Sequence, residues 1–133
     1  LKIMSYDLMA FESDKAPKKY KDFLRWYDEQ TEWNGEHDYN NPSLASDSLQ
    51  GWYGEMVQTF PNMNLPLLPD IDPGDKHLAD YAIGHHVIYV AFGWSVAGEA
   101  FECAKALADK YCVGLFDVSG DGEVFFPDGR NMK

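Results

Sequence analysis

Cysteine is scarce, bases are nearly missing from the middle of the chain, and no long apolar run occurs; each shortage excludes something. Only two of the 133 residues are cysteine, Cys103 and Cys112, and they form no CxxC pair. On one helix, a rise of ~1.5 Å per residue would hold them about 13 Å apart, beyond disulfide reach. They therefore read as reduced core thiols of a cytoplasmic protein. No apolar stretch approaches the ~18 residues of a membrane span, and no charged-then-apolar leader opens the chain. Leu1-Lys2-Ile3 precede a Met4 that reads as a natural start. The fold is accordingly expected as a single α+β domain over 4–130, with residues 1–3 an addition to it. The sequence also lacks GxSxG, HExxH, GxGxxG and GxxxxGK, so it makes no case for a serine nucleophile, a zinc protease or a nucleotide.

Lysine and arginine number 11 against 22 acids, a formal charge of −11. Neutralising phosphates needs clustered Lys and Arg, so nucleic acid and anionic membrane are excluded as partner classes. A basic protein is the partner that the charge favours. The imbalance is also polarised. From Trp26 to Glu102 there are 13 acids and one base, Lys76, whereas Lys15, Lys18, Lys19, Lys21 and Arg25 cluster just before that span. Hydrophobic residues make up 45% and aromatics 15% of the chain, too much of both for a disordered acidic tail. That content supports a core without metal or disulfide staples.

SYDLMAFE, residues 5–12, predicts a first strand. Cap-type residues at 13–16 and Pro17 predict a helix over 17–31, with Tyr20, Phe23, Leu24 and Tyr27 in one stripe and Trp26 off it. A polar loop follows over 33–47. Leu49, Trp52, Tyr53, Met56, Val57 and Phe60 give the clearest helical period, over 48–60, with Gly51 and Gly54 tolerated because another element comes close. Four prolines between 61 and 73 forbid a helix or central strand there and predict a surface loop. Two β-type runs, 78–84 and 86–93, meet at a tight hairpin, and the second is apolar on both faces, as in a central strand. Ser95 should cap a third helix over 96–112, with Gly114 near its stop. LFDVSGDGEVFFP closes the chain as strand, turn and strand.

Without the second helix and the last strand, the order is β-α-β-β-α-β. The expected architecture is thus a ferredoxin-like split β-α-β sandwich with an extra helix and a C-terminal β-hairpin. Right-handed crossovers would set the first and third strands side by side and parallel, with the helices on one face of a mostly antiparallel sheet.

Several constellations bear on chemistry. Asp117, Ser119, Asp121 and Asp128 fall at positions 1, 3, 5 and 12 of an EF-hand-like calcium loop. Position 12 is Asp rather than Glu, Pro127 precedes it, and the flanks read as strands, so a Gly-Asp-Gly hairpin turn accounts for the same residues. No metal or cofactor is therefore assigned. His85 and His86 are adjacent, and neighbours on a strand point apart. With Asp80 and the 61–76 loop they define the alternative expectation, a small-molecule or enzyme pocket. Cys103 lies within a helix near Glu99 and Glu102, a setting unsuited to a thiolate.

The acids nearest the first helix's end are interleaved with large rings. Trp26, Asp28, Glu29, Glu32, Trp33, Glu36, Asp38 and Tyr39 form the expected partner-binding segment, rings as anchors and carboxylates for steering. A solubilising acidic face over a core that needs those rings is the plainer reading.

The stretches MSYDLMAFE, FLRWYDEQTEW, HDYNNPS, MVQTFPNMN, DYAIGHHVIYVAFGWS and VGLFDVSGDGEVFFP cover most of the chain in order. With them the chain resembles a family of small, acidic, uncharacterised bacterial proteins that begin MSYDL. Leu65-Pro66 stands where that family's pattern has Gly-Pro, which alters the loop expected there. The resemblance implies no catalytic residue. Proteins of this kind are similar in style to immunity proteins that neutralise basic toxins, which implies a non-enzymatic module for a basic protein partner. Self-association as a homodimer, through a sheet edge or the helices, is the further expectation.

Overall fold

The computed structural model describes residues 5–33, 39–66 and 69–133. In chain order the elements are β1 (Tyr6–Phe11), α1 (Tyr20–Gln30), α2 (Asp47–Thr59), β2 (Asp80–Ile83), β3 (Val87–Phe92), α3 (Ala97–Tyr111), β4 (Gly114–Phe116), β5 (Val124–Phe125) and β6 (Asn131–Met132). Single 3-10 turns lie at Ser13–Lys15, Pro42–Leu44 and Trp94–Val96. The six strands form one sheet in the order β2-β3-β1-β4-β5-β6, with every neighbouring pair antiparallel. Among the described residues no helix is long and apolar enough to cross a membrane.

The fold class is thus α+β, but three expectations about its layout are corrected. First, β1 and β3 are neighbours yet antiparallel, Asp7 facing Ala91 and Met9 facing Tyr89. The β2–β3 hairpin reverses the chain, so β3 returns to β1 in the opposite sense. Second, the helices occupy both faces. Tyr6, Leu8 and Ala10 pack with α2 and α3, whereas Met9 and Phe11, pointing the other way, pack with Phe23 of α1. Alternation along β1 therefore feeds two separate cores, and α1 rather than α2 is the helix that stands apart. Third, the C-terminus adds two strands: Pro127 ends β5, and a turn through Gly129 at φ +95° brings β6 back against it.

Local chemistry explains the element boundaries. Ser46 caps α2 by accepting the Leu49 amide at 3.3 Å, so that helix starts where its sequence signals it. No side chain caps α1, and its start slips from Pro17 to Tyr20, with Ser13 and Asp14 used in a separate 3-10 turn. Ser95 is likewise absorbed in a turn and caps nothing. At the end of α3 it is Cys112, not Gly114, that takes the left-handed conformation, at φ 56°. Cys112 is exposed, so of the two free thiols only half-buried Cys103 touches the core.

Candidate functional site

The C-terminal half of α1 and the residues after it carry the expected partner-binding segment. Thr31 closes the helix by donating its amide (3.0 Å) and hydroxyl (2.8 Å) to the Tyr27 carbonyl. Trp33 then takes φ 52°, a conformation that costs a bulky residue about 1–2 kcal/mol and persists only where packing fixes it. Its ring lies edge-on to Tyr39 at 5.2 Å and to Tyr89 at 6.5 Å, and Tyr27 stacks on Tyr89 at 6.5 Å. The Ile83 amide donates to the Tyr39 carbonyl at 2.8 Å, which fixes this ring cluster to the β2 edge.

Around these half-buried rings, Asp28, Glu29 and Glu32 are exposed. Asp28 and Glu29 form no ion pair among the described residues. Trp26 behaves differently: it turns inward, 6.0 Å from Phe11 and 5.6 Å from Phe23, and belongs to the α1-side core. Glu36 and Asp38 lie outside the described residues. The structure thus brings Trp33 and Tyr39 together, leaves Asp28, Glu29 and Glu32 exposed, and uses Trp26 as filling.

Two further residues join the site from distant strands. The Tyr89 hydroxyl donates to Asp7 Oδ2, and the Ser5 hydroxyl donates to Asp7 Oδ1 at 2.6 Å. Burial, reinforced by that hydrogen bond to Asp7, pushes the Tyr89 phenol far above its ordinary range; burial likewise raises Tyr27. Both rings therefore stay neutral, as donors and apolar surfaces. Sequence spacing could not pair Asp7 with Tyr89, 82 positions on; the only signal was a carboxylate inside a predicted strand.

The alternative pocket residues do not converge. Asp80 opens β2 and accepts from Asn64 Nδ2 at 2.7 Å, whereas His85 and His86 form the turn at the strand's other end. Five residues at ~3.3 Å each separate Asp80 from that turn by about 16 Å. His85 Nδ1 lies 3.1 Å from the Leu44 carbonyl oxygen. Burial, with Lys15 and His85 nearby, lowers the pKa of His86. The 61–76 loop instead walls, through Pro61, Leu65, Pro66 and Ile71, a groove of about 220 Å³ against Tyr53 and Val57 of α2.

The calcium-like residues are likewise dispersed. Asp117 accepts from the Tyr6 hydroxyl at 2.8 Å, Ser119 accepts the Asp7 amide at 2.9 Å, and Asp121 pairs with Lys133 at 3.1 Å. Asp128 pairs with Arg130 in the β5–β6 turn. They are turn and tether residues, and the segment is a hairpin loop between β4 and β5. Among the described residues no three His, Cys, Asp or Glu side chains are grouped to hold a metal ion. Burial, with Glu99 nearby, raises the Cys103 thiol, an unfavourable setting for a nucleophile. Compared with protein-family models, curated proteins and solved structures, the chain matches none.

Proposed function

We propose that the protein is a non-enzymatic interaction module of the cytoplasm that binds a basic protein, as immunity proteins do, on a ferredoxin-like split β-α-β frame. The strand order β2-β3-β1-β4, with α2 and α3 sharing one face, supports that frame. One observation carries the functional reading: Trp33, Tyr39, Tyr27 and Tyr89 form a ring cluster where α1 ends, and the same stretch of chain carries the exposed acids Asp28, Glu29 and Glu32. Rings that are already ordered lose little entropy on burial at an interface, and exposed carboxylates steer a cationic partner toward them.

The test is affinity capture from a bacterial lysate at low and at high salt, with the wild-type chain and a D28K/E29K variant. A basic protein retained by the wild type at low salt, and lost with salt or charge reversal, supports the reading. Retention of nothing basic, or retention indifferent to the reversal, sinks it.

A further inference from the structure

Beyond the ring cluster, part of one sheet face is left uncovered by the described residues. α1 covers Met9, Phe11, Val87 and Phe116. Further along the same face the strand register places Asp7, Ala91 and Asp80 in one row across β1, β3 and β2. The next row holds Met9, Tyr89 and Ala82. β3 lies in the interior of the sheet, yet Ala91 and Ala82 remain half-exposed because no described element covers them.

This open floor has built walls. On the β1 side the turn after β4 closes it, with Ser119 bonded to the Asp7 backbone in both directions, at 2.9 and 3.2 Å. On the β2 side Asn64 holds Asp80 at 2.7 Å and the Tyr81 carbonyl at 3.1 Å. Tyr89 and the Tyr27 ring stacked on it form the third wall.

Strands ~4.8 Å apart put the Asp7 and Asp80 Cα atoms about 10 Å from each other, with only the Ala91 methyl between them. Among the described residues both carboxylates accept from neutral donors, Ser5, Tyr89 and Asn64, and neither makes an ion pair. Two uncompensated negative charges therefore face each other across a small, flat, apolar floor beside an aromatic ring.

We infer that this platform seats an arginine side chain of the basic protein partner, an assignment that rests on the interaction reading above. A guanidinium carries N–H donors on more than one edge, so it can reach carboxylates on opposite sides, and its plane stacks on a tyrosine ring. An ammonium is a compact point charge and cannot span both. Ala82 and Ala91 provide the clearance that larger residues would remove.

The experiment titrates the protein, at low salt, with tetra-arginine and tetra-lysine peptides of equal charge, followed by calorimetry and by amide chemical shifts. The arginine peptide should bind about tenfold more tightly than the lysine peptide and shift the Ala82, Tyr89 and Ala91 amides. D7N and D80N should each weaken it about fivefold, and A91L, which keeps both carboxylates but fills the floor, should abolish it. Thermal melts confirm that each variant is folded, and A91L stands as the arm that changes no charge. Equal affinity for both peptides, shifts confined to other surfaces, or an equal loss from D28N/E29N overturns the assignment. A basic protein captured from lysate with undiminished affinity by D7N/D80N overturns this platform but leaves the broader reading standing. Arginine binding at the platform with nothing basic captured supports the site and removes the broader reading.

Discussion

At Gly114 the backbone of β4 passes so close under the Phe11 ring that a Cβ built there would lie 2.1 Å from ring carbon Cζ. Phe11 cannot yield, because it is fully buried against Phe23 at 5.0 Å, Phe126 at 5.7 Å and Trp26 at 6.0 Å. Gly114→Ala should therefore lower stability by about 1–3 kcal/mol through overpacking. Urea unfolding measures this directly, and an unchanged midpoint would contradict the contact. Gly51 is a milder case: its missing Cβ leaves room for the Tyr111 ring across the α2–α3 interface, as the helix pattern implied. Gly54 meets nothing within 4 Å, so close approach does not explain it.

The long loop between α2 and β2 is held at several points. Asn62, buried, donates to the Tyr53 hydroxyl at 3.0 Å, and the Tyr81 hydroxyl donates to the Phe60 carbonyl at 2.7 Å. His77 adds a titratable clasp. Its Nδ1 lies 3.2 Å from Asp75 Oδ1, its Nε2 lies 3.0 Å from Glu99 Oε1 on α3, and its ring packs against Phe60 at 5.4 Å. Only the imidazolium can donate from both nitrogens to those carboxylates. The Glu99 hydrogen bond, opposed by partial burial and helped by Asp75, raises the His77 pKa above 6.5. The folded state thus holds this proton more tightly than the unfolded chain does. The clasp stabilises fully below about pH 6.5 and lets go as pH rises through the raised pKa. The His77 ring should titrate by NMR with a midpoint above 6.5, falling back in E99Q; a wild-type midpoint at or below 6.5 would refute the clasp.

At this scale the limits of sequence reading are physical. α2 was legible because Leu49, Trp52, Tyr53 and Met56 all face one core and Ser46 caps the start. α1 was legible as a helix but not as to which sheet face it covers, since an apolar stripe records burial and not its partner. β6 was not legible: it has two residues, one of them an exposed Asn131, and owes its existence to pairing with β5. The exposed acids after Trp26 could be listed from sequence, whereas the Asp7–Tyr89 link depends on strand register and could not.

For the molecule as a whole, charge is unevenly compensated. Lys105, Lys110, Arg130 and Lys133 are tied to Asp109, Glu55, Asp128 and Asp121, while Asp7, Asp28, Glu29 and Asp80 make no ion pair among the described residues. Lys18, Lys19, Lys21 and Arg25 are exposed around the start of α1 and Asp28 and Glu29 at its end, so the negative field a partner meets is local to that end of the helix. Association with a basic protein should slow steeply as salt rises while dissociation changes little. Stopped-flow measurement at two ionic strengths checks this, and a salt-independent on-rate would rule out steering. The sheet order also has a kinetic consequence. β1 is the first strand in the chain, yet both of its neighbours, β3 and β4, come late. During synthesis YDLMAF must wait, unpaired, until β3 has emerged from the ribosome, because no described residue between the two strands offers it a ladder. Such distant pairing makes for slow folding, which completes only after translation has passed β4, with β1 as the nascent segment most in need of a chaperone.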